Sequence, residues 1–173
     1  MSTTWTEAGL DEAGFVGLVT FGDLPLVDVP TRAGVYVVLR PGGTTPVFLT
    51  KSPAGWYKGK DPSVAVERLN RKWISGTSVV YIGKAGVDRS GRGGLRRRLD
   101  QYRRHGAGEA VGHWGGRFIW QLPDSEQLRV AWKVTPCLDP EDVESSLIAD
   151  FVEVFGHLPF ANLKRGRRLA SGE

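Results

Sequence analysis

The chain has little of what builds covalent or metal-held scaffolds. Of its 173 residues one is a cysteine, Cys137, and three are histidines, His105, His113 and His157. A lone thiol closes no internal disulfide, and there is no cluster of thiols for a structural zinc. The histidines are too far apart in sequence for two to ligate from one helical turn. No run approaches the ~18 apolar residues of a membrane-spanning helix. The first residues lack the basic-then-apolar order of a secretory signal. No internal repeat or linker divides the sequence. The expectation is one soluble, cytoplasmic domain over 1–173, since a chain of this length can bury about 70% of its unfolded surface without staples.

The charge is more informative than its sum. Lys and Arg exceed Asp and Glu by 23 to 19, a net +4. Between Arg89 and Arg104 stand Arg89, Arg92, Arg96, Arg97, Arg98, Arg103 and Arg104, with Asp100 the one acid. A second cluster, Lys164-Arg165-Gly166-Arg167-Arg168, opens a basic tail expected over 164–173. Such clusters are either solvated faces or phosphate-binding surfaces. Arginine's planar fork suits phosphate oxygens, and the glycine-rich loop Ser90–Gly94 lets a backbone approach a ligand closely. Arg92, Arg96, Arg97, Arg103, Arg104, Lys164 and Arg165 are therefore the candidate nucleic-acid contacts. Gly55–Lys60 is not a phosphate loop of the nucleotide-triphosphate kind, because its spacing is wrong and Asp61 stands where Ser or Thr is needed.

Periodicity predicts strands at 34–39, 78–83, 117–122 and 128–134, with shorter candidates near 15–21 and 47–50. Asp61-Pro62 predicts a helix start, continued by Val66, Leu69 and Trp73. Leu95–Arg104 predicts a second helix stopped by Gly106, and Asp139-Pro140 opens a third that Gly156 closes. The order predicts an α+β fold with a small, mostly antiparallel sheet.

Two charges fall on the wrong face. A helix advances about 100° per residue. With Val143 at zero, Val154, Leu147, Phe151, Phe155 and Ile148 span an apolar arc from about 20° to 140°. Glu144 falls in its middle, at about 100°. In the arginine-rich helix Leu95, Leu99 and Tyr102 form the apolar face, and Arg98 lies within about 60° of Leu95. A buried charge must be paired or must bind something. Either Arg98 and Glu144 form a buried salt bridge, or they share a polar site. Strand alternation puts Tyr36 on one face with Gly34 and Val38, and Tyr81 on one face with Val79 and Gly83. Antiparallel pairing brings both phenols to one side, and Lys84 puts an ammonium near them. Tyrosines so placed are either core residues or site residues.

These residues resemble the GIY-YIG nuclease family. Gly34-Val35-Tyr36 is similar to the GIY element, and Tyr81-Ile82-Gly83 is the YIG element, followed by Lys84-Ala85-Gly86. Leu95–Tyr102 resembles the family's arginine motif, with Arg98 the catalytic arginine and Tyr102 its partner four residues on. Glu144-Ser145-Ser146-Leu147-Ile148 resembles the metal-binding glutamate motif, and Pro159-Phe160-Ala161-Asn162 the closing element with its supporting Asn162. The resemblance implies a three-stranded antiparallel sheet flanked by helices, formed by 34–39, 78–83 and 128–134. The chain departs from the family in an insertion at 41–77, an enlarged loop at 87–94 and an extra strand near 117–122.

The resemblance also implies hydrolysis of a DNA phosphodiester, of restriction, defence or repair type, with one Mg²⁺ or Mn²⁺ on Glu144. Tyr36, Tyr81, Arg98 and Glu144 would be catalytic. Gly83, Lys84, Tyr102 and Asn162 would support them. Tyr36 is the candidate base and Tyr81 the orienting group, or the reverse. A free phenol has a pKa of about 10 and would need lowering. No small-molecule cofactor is expected, and a homodimer stays open, since one site cuts one strand at a time. The alternative is a nucleic-acid-binding module that keeps the scaffold without cutting. The segment 113–120 is either core, with Phe118 and Trp120 filling the back of the sheet, or a contact surface, with Trp114 and Arg117 against bases. His105 is expected to be an ordinary helix C-terminal histidine.

Overall fold

The structure, a computed structural model, describes residues 5–166. Among these the fold is α+β, with four strands in one antiparallel sheet and four α-helices. The strands are β1 (Val16–Thr20), β2 (Gly34–Leu39), β3 (Val79–Ala85) and β4 (Arg129–Val134), in the order β1-β4-β2-β3. The helices are α1 (Glu7–Glu12), α2 (Val66–Lys72), α3 (Gly94–Gly106) and α4 (Pro140–Phe155). No helix among the described residues is long and apolar enough to cross a membrane.

Every residue of β2 is buried, which is why it reads as a continuous apolar run rather than an alternation. It lies between β3 and β4 and has cover on both faces. Tyr36 and Val38 join the core under α3, with Leu95, Leu99 and Tyr102. Val35, Val37 and Leu39 join the core under α4, with Leu147, Ile148 and Phe151. Asp139 caps α4 by accepting from the Glu141 amide at 2.9 Å, and Gly156 ends it with φ +74°. The buried arc of α4 is rotated from the expected one. Val154 is 55% exposed and Ser145 is buried, so Glu144 stays central.

Four sequence expectations are corrected. The sheet has four strands, because β1 pairs with β4. Arg117–Gln121 is a 3-10 helix, not a strand. The free edge of β3, where such a strand could pair, is already closed by residues 159–162. There the Ala161 amide donates to Val80 O at 2.8 Å, and the Asn162 side chain exchanges hydrogen bonds with Ile82. No strand forms at 47–50. The helix expected from Asp61 begins at Val66, since the Asp61 carboxylate turns back to accept from the Ser63 amide at 2.8 Å. Of the basic tail, Arg167, Arg168 and the rest of 167–173 lie outside the described residues.

The start of α3 is built by backbone. The amides of Gly94, Leu95 and Arg96 donate to the carbonyls of Gly86, Arg32 and Pro30, each at 2.9 Å. Asp88 ties the preceding loop to itself, accepting from the amides of Ser90 and Arg92. These donors are taken, so the glycine loop does not offer the ligand-facing backbone its sequence suggests.

Candidate active site

The register of β2 and β3 sets Tyr36 opposite Gly83 and Tyr81 opposite Val38. Both phenols therefore lie on the α3 face, with ring centroids 6.0 Å apart. Tyr102 of α3 completes the cluster at 6.3 Å from Tyr36 and 5.6 Å from Tyr81. Gly83 makes room for this arrangement, since a Cβ there would lie 2.5 Å from Tyr36 Cζ. The Tyr36 hydroxyl and His113 Nε2 share a hydrogen bond of 2.9 Å, the imidazole tautomer setting which of them donates. The His113 ring stacks on Tyr102 at 3.6 Å with 3° between planes. Tyr102 donates to Gly116 O at 2.7 Å, holding the 113–116 segment over the phenols.

Burial sets the protonation of this cluster. It pushes Tyr36 up to about 12, against the pull of the Arg98 charge. It holds Tyr81 and Tyr102 well above the usual phenol value. Burial, then Arg98, holds His113 well below the usual imidazole value. At neutral pH the phenols are protonated and the imidazole is neutral.

Arg98 is half-buried beside the phenols, its guanidinium reaching Gly112 O at 3.4 Å. Glu144 approaches from the opposite face of the sheet, around the edge of β3. It does not pair with Arg98. Its partner is Lys84, with Nζ 3.4 Å from the Glu144 carboxylate and 2.9 Å from that of Glu141. Burial pushes the Glu144 carboxyl up, and Lys84 opposes the shift. The salt bridge that the inward placement of Arg98 and Glu144 allowed is thus not formed, and Glu144 answers Lys84 instead.

Around Lys84 lies a groove of two adjoining cavities. One, of about 560 Å³, is lined among others by Tyr81, Lys84, Trp114, Glu144, Asn162, Lys164 and Arg165. The other, of about 430 Å³, is lined by Lys84, Arg92, Arg97 and Arg98. Lys84 borders both. Tyr81 reaches the groove directly, whereas Tyr36 is sealed behind it at 0% exposure.

The expected nucleic-acid contacts divide. Arg92 pairs with Asp88 at 3.3 Å, Arg103 with Asp100 at 2.7 Å and Arg104 with Glu109 at 2.6 Å, and Arg96 pairs with Asp28. Among the described residues Arg97, Lys164 and Arg165 pair with no carboxylate, and all three face the groove. Sequence reasoning missed His113 as a partner of Tyr36. Its signal was position, in a segment foreign to the motif pattern. His105 lies in the last turn of α3, as expected, but it is buried and neither ring nitrogen has a partner.

Among the described residues no group of three or more His, Cys, Asp or Glu side chains is placed to hold a metal ion. Comparison with protein-family models, with curated proteins and with solved structures finds no match to the chain.

Proposed function

We propose that the protein is a metal-dependent endonuclease that hydrolyses DNA phosphodiester bonds, the activity implied by its resemblance to GIY-YIG nucleases. One observation carries the reading. Tyr81 and Glu144, from opposite faces of the sheet, line a single cavity with Lys84 between them. Arg98 lines the adjoining cavity. A purely structural use of these residues would not need an open groove where they converge.

The donor set fits a hard divalent cation that keeps most of its water. Glu144 offers one carboxylate, 14% exposed, at a cavity wide enough for a phosphate and several waters. Bound there, Mg²⁺ or Mn²⁺ would offset the charge on the phosphate oxygens and polarise the phosphorus. Arg98 would add a fixed positive charge where the transition state gathers negative charge. The protonated Tyr81 hydroxyl would donate to a phosphate oxygen or orient the attacking water. Tyr36 as base would require its hydroxyl to leave His113 and open to the groove. Tyr81 needs no such movement, so the geometry favours Tyr81 as the phenol that meets substrate. Lys84 holds Glu144 in place, and Tyr102 and Asn162 fix the walls.

Supercoiled plasmid incubated with the protein and Mg²⁺ or Mn²⁺ tests this. Wild type should nick only with metal, and Glu144→Ala and Arg98→Ala should each lose about 100-fold or more of the rate. DNA binding without metal-dependent nicking would replace the enzyme with a binding module on the same scaffold. A restriction, defence or repair role would follow from which substrates of a defined panel are cut.

A further inference from the structure

We propose that Arg68, Lys72 and Arg117, flanked by Trp114, form a phosphate-binding track that guides a nucleic-acid strand out of the groove. The proposal rests on the nucleic-acid reading of that groove and adds a surface supplied by the 41–77 insertion.

The three cations are drawn together from distant segments. Arg68 and Lys72 are one turn apart on α2, so they share a helix face. Arg117 comes from the 3-10 helix. Arg68 Cζ and Arg117 Cζ lie 5.3 Å and 5.2 Å from the centroid of the same ring, Phe118. Arg117 also sits 4.4 Å over Trp114. Lys72 Nζ donates to Asn162 O at 2.9 Å. Trp114 and Asn162 both line the larger cavity, so the cluster is continuous with the groove.

No carboxylate answers this charge. None of the three forms an ion pair among the described residues, whereas four of the arginines expected to bind phosphate do. Burial, and then the charge of Arg68, lowers the pKa of both Lys72 and Arg117. Arg117 donates to Trp114 O at 3.2 Å, and its Nε is buried without a partner. Contact with an aromatic face accounts for one guanidinium. It does not account for a second guanidinium on the same ring and an ammonium one turn away. The accessible end of the guanidinium, rather than its enclosed Nε, would meet a phosphodiester oxygen, which arginine forks suit.

Fluorescence anisotropy with a labelled duplex and a labelled single strand, in EDTA, reads binding apart from cutting. Arg68→Glu/Lys72→Glu changes an exposed and a half-buried position, and Arg117→Lys keeps charge while removing the fork. Arg129→Glu serves as a charge-changing control, since Arg129 pairs with Glu7 on another part of the sheet. The double variant should bind at least tenfold more weakly. Its slope of log affinity against log salt on duplex should be shallower by about 0.9 for each phosphate it no longer neutralises. The Arg129 variant should keep the wild-type slope, and Arg117→Lys should fall between the two. A double variant with unchanged affinity and slope would overturn the track, while metal-dependent nicking by wild type would leave the nuclease reading standing. Wild type that neither binds nor nicks would overturn both. Binding to polyglutamate in place of DNA would overturn the nucleic-acid track.

Discussion

The Tyr36 hydroxyl meets His113 Nε2 at 2.9 Å, and both side chains are completely buried. The pair joins a β-strand tyrosine to a histidine in an irregular segment, and Tyr102 stacks beneath it. A neutral imidazole enclosed this way makes the fold sensitive to acid.

The first expectation concerns that sensitivity. Burial holds His113 well below its ordinary value, while in the unfolded chain it titrates near 6.5. Between the two values the unfolded chain binds a proton that the folded protein refuses. The stability is therefore full above pH about 6.5 and falls as pH drops toward the folded pKa. His105, also lowered by burial, acts in the same direction. Melting temperatures from pH 7.5 to 5 should decline for wild type and decline less steeply for His113→Gln. Parallel curves would remove His113 as a source of the effect. The slope is the measure, because the substitution also loses the ring stack.

Glu144→Gln separates a site from a scaffold. The carboxylate is pushed up by burial in spite of Lys84, and Lys84 retains Glu141 at 2.9 Å when Glu144 becomes neutral. The melting temperature should move by little, while plasmid nicking should fall by about 100-fold or more. A large drop in melting temperature with nicking preserved would make Glu144 structural.

Gly83→Ala should disturb both phenols at once. The new methyl would lie 2.5 Å from Tyr36 Cζ and 2.8 Å from Tyr81 Cε1, in a core with no slack. Overpacking of this kind costs about 1–3 kcal/mol. Urea unfolding should show that loss, and cleavage should fall further than stability alone explains because Tyr81 is displaced from the groove.

Asn162→Ala removes a clip on β3. The side chain accepts from the Ile82 amide at 2.9 Å and donates to the Ile82 carbonyl at 2.8 Å, both buried. Each orphaned group costs about 1–3 kcal/mol. Hydrogen exchange at the Ile82 amide should accelerate strongly, and urea unfolding should shift to lower concentration. Retained protection at Ile82 would mean that Ala161 alone holds the edge.

The sequence made the central strands and the two long helices readable because each carries a complete period. Leu95, Leu99 and Tyr102 mark one face, and the caps Asp139 and Gly156 bracket the other helix. The same geometry exposed Arg98 and Glu144 as misplaced charges, and the structure keeps both half-buried beside the groove. Apart from Asp61, whose local turn delays the start of α2, the failures are of one kind. Arg96 reads as a free phosphate ligand until Asp28, 68 residues away, is folded against it. The apolar run Phe118–Trp120 reads as a strand because periodicity cannot show that the edge of β3 is already taken by Ala161 and Asn162. His113 lies where no period exists, so its contact with Tyr36 has no local signature. Arg68 and Arg117 look like unrelated surface residues until Phe118 brings them together.

The Asn162 clip has a further consequence for assembly. By imitating a neighbouring strand, it leaves Ile82 nothing to offer a visiting chain. Two copies cannot join by extending their sheets on that side, where an added strand would also wall off the mouth beside Tyr81. Pairing of two copies sheet to sheet is thereby left to β1, the strand at the other end of the order, which is bonded to β4 alone.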